Sequence, residues 1–339
     1  MPLKATPVGG HYKLIYPIRK WDCERSMNRI VKLFDYIFIL RPTLFFPVWT
    51  VYAAGYFAFH KFSGAGQNGA ATTLDGAALS LLGLLTLLMG SGYILNQLCD
   101  VETDRRNNKL FLIANGYVSS RAAWMEMILL GVFTLGAGFF YGVEIGALLA
   151  AIFLLTGIFY NVAPFAWKGR PLLGLVANAL GALLIFTAGW WSLQVDWRLP
   201  VQHAIPYMLA VAAVYLYTTL LDLDGDADAQ KMTFGVRYGL RATTIAGCGL
   251  ELGALVSAWW LKDFVIFYPA LIAAPFFLWA AIKPCLAKVS RAIKLPILFL
   301  ALAICFKVWQ YFFLLAFVFY LSRWYYRKRF GLNYPSLAS

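Results

Sequence analysis

The chain has 339 residues, of which 61% are hydrophobic, 17% are aromatic and 13% are charged. Soluble domains contain about 45 to 50% apolar and about 25% charged residues, so this composition excludes an ordinary soluble enzyme. The net charge of +13 comes from basic residues in short stretches between apolar runs. Nucleic-acid-binding proteins instead gather such residues on one face. The sequence therefore predicts an integral membrane protein that contacts lipids and binds no nucleic acid.

Apolar windows separated by glycine, proline or charged clusters predict an all-α membrane protein with nine transmembrane helices. A bilayer span needs about 20 apolar residues, and most of the windows approach that length. They lie at about 34–60, 75–98, 121–142, 145–160, 172–194, 203–221, 242–261, 264–282 and 295–322. Residues 1–33 are expected to form a polar N-terminal segment with a short interfacial helix, and residues 323–339 a C-terminal tail.

The distribution of lysine and arginine predicts the orientation in the membrane. Most of these residues lie before the first span or in the loops after every second span, which places the N-terminus in the cytoplasm by the positive-inside rule. A bacterial type of location, the cell inner membrane, is expected. Nine spans, however, leave four basic residues on the opposite side, against the rule: Arg323, Arg327, Lys328 and Arg329.

Two short segments hold seven of the 16 acidic residues. They follow the second and sixth predicted helices, so both are expected on the same face of the membrane. The residues are Asp100, Glu102 and Asp104 in the first segment, and Asp222, Asp224, Asp226 and Asp228 in the second. Carboxylates in such density repel one another unless a cation compensates. Hard oxygen ligands suit Mg²⁺, which prefers one or two carboxylates together with substrate phosphates.

The spacing separates the ligand candidates from their neighbours. Asn96, Asp100 and Asp104 recur every four positions and form one stripe of a helix, and Asp222 and Asp226 repeat that spacing. The other three acids of the two segments fall off these stripes and are expected to lie behind the ligands or in solvent, although a helix break at Gly225 would let Asp228 turn inward. Charged helix ends at a membrane surface are the simpler alternative, and two matching clusters on one side make it less favourable.

A third loop carries cations that suit a phosphate. Lys168 lies in the segment YNVAPFAWKGRP, a few residues after Tyr160, beside a proline and glycine turn. Lys231 and Arg41 lie at a similar depth. Each of these cations, taken alone, is equally well explained as an ordinary positive-inside charge.

Three segments together resemble the UbiA superfamily of intramembrane prenyltransferases. They are NQLCDVETD, YNVAPFAWKGRP and DLDGDADAQKMT, in that order on alternate loops, and the likeness spans roughly residues 34–320. The resemblance implies a helical bundle around a central cavity with cytoplasmic cap loops. It also implies transfer of an isoprenoid chain from its diphosphate to an acceptor, with Mg²⁺ as the cofactor.

The resemblance also implies roles for particular residues. Asn96, Asp100 and Asp104 correspond to a first Mg²⁺ and diphosphate site, and Asp222 and Asp226 to a second. Lys168 and the nearby Tyr160 match the family loop that contacts the diphosphate. The further candidates for contact with the isoprenyl diphosphate are Arg41 and Lys231, from their depth, and Lys109. Lys109 is included because the Arg-Pro stretch that often follows the first motif is replaced here by NNKLFLIANGYVSS.

The acceptor stays open at this stage. An aromatic acceptor of the quinone-precursor type is favoured, and a phosphorylated sugar or glycerol is an alternative because IANGYVS differs from the usual stretch. A membrane terpene cyclase would use the same site without any acceptor. A transporter is a third possibility, but it predicts acids near the middle of the membrane, whereas the clustered acids lie at helix ends.

Overall fold

The computed structural model describes residues 29–63, 73–106 and 112–335, and within these ranges the chain is helical. Eight of its helical segments are long and apolar enough to cross a membrane, and Val143–Phe159 is a shorter apolar one. The helices are α1 Arg29–Phe38, α2 Phe45–Phe62, α3 Gly76–Arg106, α4 Ser120–Tyr141, α5 Val143–Ile152, α6 Pro171–Trp191, α7 Arg198–Leu221, α8 Leu223–Asp228, α9 Phe234–Trp260, α10 Phe264–Ile282, α11 Leu286–Lys307 and α12 Trp309–Phe330. The predicted all-α membrane fold is confirmed.

The last predicted helix, at 295–322, is two helices. Val308 has an extended backbone (φ −129°, ψ 86°) and separates α11 from α12. The prediction joined them because this apolar run contains no glycine or proline after Pro296. The break is stabilised by a distant contact, since the Gln310 side chain accepts a hydrogen bond from the Leu74 amide (2.6 Å) and donates one to its carbonyl. In the described part of the chain, the ninth predicted helix thus corresponds to α11, which is one of the eight candidate spans, and to α12, which is not among them.

The second half of this pair returns to the face on which α2 begins. The Arg329 guanidinium donates hydrogen bonds to both carboxylate oxygens of Asp35 in α1, each at 3.0 Å. The Tyr325 hydroxyl donates to the same carboxylate at 2.6 Å, and the Tyr325 ring stacks on Phe38. The four basic residues that nine spans left on the wrong side therefore lie on the same face as most others. The segment expected as a tail from residue 323 is helical as far as Phe330.

Glycines allow the central helices to approach closely. A Cβ atom at Gly55 would overlap the Phe186 carbonyl of α6, and one at Gly189 would overlap the Tyr52 carbonyl of α2. Small residues at helix contacts are the usual means of tight packing within a membrane, where lipid offers apolar side chains no drive to associate. Tyr52 is buried at this contact. The contact fixes α2 against α6 below the acidic segments.

Of the two helix ends beside the second acidic segment, one lies at its predicted position and the other does not. α7 ends at Leu221 as predicted, and the chain then turns at Asp222 into the short helix α8. α9 begins at Phe234, eight residues before the predicted start, and kinks at Gly239. There the backbone has φ 76°, a conformation that favours glycine. Two arginines and two glycines among the first eight residues of α9 interrupt the apolar pattern, so a search for apolar windows missed this start.

The buried ion pair between α1 and α12 generates a prediction. We expect Arg329→Met to lower the stability of the detergent-solubilised protein by about 3 to 5 kcal/mol, because it leaves the Asp35 carboxylate buried without its cation. Thermal unfolding measures this. Glu102→Ala is the control, since Glu102 and its partner Arg105 are exposed and 3.7 Å apart. An equal melting temperature for wild type and Arg329→Met would contradict the expectation.

Candidate active site

The two acidic segments face one cavity of about 220 Å³ at the end of the bundle. Its walls come from the ends of α3 and α7, the segment 160–168 and the residues around Lys231. The lining residues are Arg41, Asn96, Asp100, Asp104, Tyr160, Lys168, Tyr215, Thr218, Thr219, Asp222, Asp226, Lys231 and Thr233. All five predicted metal ligands and four of the five predicted diphosphate contacts are therefore in one place. Lys109 lies outside the described residues.

The predicted stripe of α3 is present because this helix continues well beyond its predicted end at residue 98. Its last turns carry Asn96, Asp100 and Asp104 on the face that lines the cavity, and Asp104 is buried at 8% exposure. Glu102 is exposed and pairs with Arg105 at 3.7 Å. The four-residue spacing thus separated the cavity acids from the solvated one correctly.

In the second segment, Asp222 and Asp226 also lie one helical turn apart, although the helix is interrupted between α7 and α8. Asp222 lies at the turn between α7 and α8, and its carbonyl accepts the amide of Asp226 at 2.8 Å, so the two acids stay one turn apart. Both line the cavity. Asp224 and Asp228 are exposed and lie outside the cavity wall, as the spacing predicted.

Asp100 is the electrostatic centre of the cavity. The Lys168 ammonium donates to its Oδ2 at 2.6 Å, and the Lys231 ammonium donates to its Oδ1 at 3.0 Å. These bonds link α3 to the segment before α6 and to the segment between α8 and α9. Burial lowers the pKa of the Lys168 ammonium, and the charge of Asp100 opposes that shift. Two cations thus converge on one carboxylate at a partly buried position.

An amide network lies beside these charges and was missed in the sequence. Asn161 is 5% exposed, and its Oδ1 accepts hydrogen bonds from Asn96 (2.6 Å) and Lys168 (3.3 Å). Asn96 also donates to Asp100 at 3.3 Å. Only the position of Asn161 directly after Tyr160 in the third segment could have pointed to it.

Two tyrosines form another part of the wall. Tyr160 lies in contact with Asn178 and with the hydroxyl of Tyr215, which the sequence analysis did not single out. Gly174 makes room for this contact, because a Cβ atom there would overlap the Tyr215 hydroxyl. Gly174 therefore allows the Tyr215 ring to occupy this position.

Arg41 occupies the junction of three cavities. Its backbone is left-handed (φ 56°, ψ 61°), an uncommon conformation for a residue with a side chain, and it precedes the turn into α2. Its side chain lines the acidic cavity, an apolar cavity below it and a third cavity beside Tyr326 and Tyr334. Arg170, by contrast, donates to the Pro164 carbonyl at 2.9 Å and is no part of the acidic cavity wall.

The apolar cavity has a volume of about 370 Å³ and adjoins the acidic one. Arg41, Asn96 and Tyr160 line both, so the two spaces share a wall of three side chains. The remaining lining is mostly aliphatic and comes from α2, α3 and α6, and it includes Val48, Val51, Met89, Ala182 and Ile185. A charged chamber thus leads into an apolar one.

The side chains of the acidic cavity fit a magnesium ion that shares its ligands with a phosphate. Among the described residues, no group of three or more His, Cys, Asp or Glu is close enough to hold a metal alone. Mg²⁺ usually keeps several waters and binds one or two carboxylates together with substrate phosphates. Asp104, Asp222 and Asp226 supply carboxylate oxygens of this type, and Asn96 supplies an amide oxygen.

The close approach at Gly174 generates a prediction. We expect Gly174→Ala to destabilise the protein by about 1 to 3 kcal/mol, because the added methyl group displaces the Tyr215 ring from a packed wall. Thermal unfolding in detergent measures the loss. Gly169→Ala is the matched control, since no atom lies within 4 Å of a Cβ atom at that position. Equal melting temperatures for the two variants would refute the role of Gly174.

Comparison with known proteins places this site in a family. The chain is 33% identical over 190 residues to homogentisate solanesyltransferase, chloroplastic, from Arabidopsis thaliana, covering 53% of this chain and 49% of that protein. It is 29% identical over 209 residues to digeranylgeranylglyceryl phosphate synthase from Methanoculleus marisnigri, covering 59% of this chain and 72% of that protein. The chain spans about half the length of the first curated relatives it matches.

The fold also matches that of solved structures. A UbiA homolog from Archaeoglobus fulgidus bound to GPP and Mg²⁺ superimposes with a TM-score of 0.62 at 18% identity, over 80% of this chain and 99% of that one. The model of the UbiA prenyltransferase family matches residues 44–293, which include every described residue of the acidic cavity except Arg41. The chain belongs to the UbiA prenyltransferase family.

Proposed function

We propose that the protein transfers a prenyl or polyprenyl group from an allylic isoprenyl diphosphate to an acceptor in a Mg²⁺-dependent reaction, releasing diphosphate. The observation that carries this proposal is the joined pair of cavities. Four carboxylates and three cations surround a polar chamber that opens into an apolar one. A prenyl diphosphate has the same division into a charged head and an apolar chain.

The charge of the polar chamber supports binding of the diphosphate together with magnesium. Asp100, Asp104, Asp222 and Asp226 outnumber Arg41, Lys168 and Lys231 by one charge. A prenyl diphosphate alone, with about three negative charges, would be repelled, whereas with two Mg²⁺ it carries about one positive charge. The net charge of the chamber and the bound complex together would therefore be close to zero.

The lysines of the chamber would also stabilise the charge that develops on the diphosphate during the reaction. Lys168 and Lys231 are held at Asp100 and point into the space that the diphosphate would fill. Heterolysis of the C1–O bond leaves the electron pair on the diphosphate oxygen, and ammonium groups placed there stabilise the developing charge. Bound Mg²⁺ would add to this stabilisation as a Lewis acid.

The apolar chamber would hold the chain and protect the allylic cation. Its aliphatic lining offers no strong nucleophile, and the rings of Tyr93 and Tyr160 lie in its wall. Aromatic faces attract a passing cation. A nucleophilic carbon of the acceptor then bonds to C1 and loses its proton, which restores the aromatic ring.

An aromatic acceptor of the quinone-precursor type is the favoured substrate. The support is the name of the Arabidopsis relative, which identifies homogentisate as the molecule that protein prenylates. The archaeal relative is named for a glyceryl phosphate, so a phosphorylated acceptor is the second candidate. A panel containing phenolic acids, glycerol phosphates and phosphoribose separates the two by mass spectrometry.

We further propose that the site faces the cytoplasm, with the protein in the cell inner membrane. With α12 returning to the site face, the described lysines and arginines on the opposite face or near it are four: Lys61, Arg198, Lys262 and Lys307. The excess of basic residues on the site face agrees with the positive-inside rule. The same argument favours a cytoplasmic N-terminus.

Substitution of the cavity acids tests the reaction. We expect Asp100→Asn and Asp222→Asn to lower the rate of Mg²⁺-dependent prenyl transfer at least about 10² to 10³-fold, because each removes charge that orients the diphosphate complex. Asp224→Asn is the matched control, since Asp224 lies in the same segment but is exposed and outside the cavity. The measurement is product formation by purified protein in detergent from geranyl and longer prenyl diphosphates.

The same assay distinguishes the alternatives. A cyclase would release a cyclic hydrocarbon or alcohol from the diphosphate in the absence of any acceptor, whereas a transferase requires one. Full activity in both Asp100→Asn and Asp222→Asn would overturn the assignment of the site.

Labelling of single cysteines tests the orientation. In a background without the five native cysteines, we expect Trp197→Cys to react with an impermeant maleimide in intact bacterial cells, because Trp197 is exposed in the turn between α6 and α7 on the face opposite the site. Arg327→Cys should react only after permeabilisation, as should the reference variant Asp224→Cys. Reaction of Arg327→Cys in intact cells would contradict the placement of α12.

A further inference from the structure

Asn161 joins a helix end to the acidic cavity. It follows a π-helical stretch, Phe153–Phe159, and is almost fully buried. Its Nδ2 group donates to two backbone carbonyls of that stretch, Thr156 at 3.0 Å and Gly157 at 2.9 Å. The last carbonyls of a helix lack partners within the helix, so these bonds cap it. They also use both hydrogens of the side-chain amide.

The capping bonds fix the direction of the remaining oxygen. Because both hydrogens face the helix, Oδ1 faces the cavity side and accepts hydrogen bonds from the Asn96 amide and the Lys168 ammonium. The flipped amide would set its oxygen against two carbonyl oxygens and its NH₂ against two donors. The donor and acceptor pattern therefore permits one orientation.

The oxygen in turn orients two cavity residues. The Nδ2 group of Asn96 donates to Asn161 and to Asp100, which leaves the Asn96 Oδ1 as the atom available to a cation in the cavity. Lys168 is held between Asn161 and Asp100. Asn161 itself is no part of the wall of the acidic cavity.

We propose that Asn161 is a positioning residue, which rests on the function proposed above. It would turn the Asn96 oxygen toward a bound Mg²⁺ ion and hold Lys168 toward the diphosphate, while it lines the apolar cavity and not the acidic one. Partners of this kind behind metal ligands typically change affinity or activity about 10 to 100-fold when removed. The π-helical stretch supplies the rigid support, since its carbonyls hold the amide.

Binding of pyrophosphate in the presence of Mg²⁺, measured by calorimetry on the purified full chain, tests this role. We expect Asn161→Ala to weaken binding about 10 to 100-fold. Asn161→Asp loses the same two capping bonds and sets one carboxylate oxygen against the Thr156 and Gly157 carbonyls, so it should be the less stable variant. It keeps an oxygen toward Lys168 and Asn96, so its affinity should nevertheless fall less than that of Asn161→Ala. A purely structural role predicts that affinity falls together with stability, and a larger loss of affinity in Asn161→Asp than in Asn161→Ala would overturn the proposal.

A double-mutant comparison tests whether Asn161 acts on pyrophosphate binding through Lys168. The effect of Asn161→Ala should shrink by at least about threefold in a Lys168→Met background, because coupled residues are not additive. An unchanged effect would overturn the proposal. If Asn161→Ala does not fold, Asn161→Leu replaces it. Ser257→Ala is the control, since Ser257 also donates to helix carbonyls, at Gly253 and Ala254, but far from the cavity.

These outcomes separate this proposal from the one on which it rests. Wild-type protein that neither binds pyrophosphate with Mg²⁺ nor forms a prenylated product would overturn both. Wild-type binding with equal affinity in Asn161→Ala would overturn only the role of Asn161.

Discussion

The contact of Asp100 with two lysines is the constraint on which the site depends. Carboxylates at a partly buried helix end are costly unless cations neutralise them, and Lys168 and Lys231 reach Asp100 from two later segments of the chain. The contact therefore stabilises the acids and also brings three separate segments together. In the proposed reaction, a diphosphate with its metal ions would take over both partners, since it would offer negative charge to the lysines and positive charge to the carboxylate.

Such an exchange of partners requires a rigid frame, and the helices below the cavity provide one. The backbones of α2 and α6 touch at Gly55 and Gly189, which leaves little freedom for sliding. Closely packed helices of this kind have low compressibility, so a shift of one helix is passed to its neighbour. The apolar chamber lies between these closely packed helices and α3.

The sequence predicted the acids well because their signal is local. A four-residue spacing on a helix puts Asn96, Asp100 and Asp104 on one face wherever that helix lies. The break at Val308 and the role of Asn161 depend instead on contacts with distant residues, Leu74 in one case and Asn96 in the other. The left-handed backbone of Arg41 is equally invisible in composition or hydropathy.

The misplaced basic residues show how a charge rule can correct a helix count. Nine spans left Arg323, Arg327, Lys328 and Arg329 on the face with few positive charges, which was a physical inconsistency in the prediction. Adding one helix between Lys307 and that cluster moves all four to the other face, and the structure contains such a helix. The buried charge of Arg329 is then compensated by the carboxylate of Asp35. The extra helix also brings Tyr326 and Tyr334 to a cavity that shares Arg41 with the acidic one, so the end of the chain becomes part of the surroundings of the site.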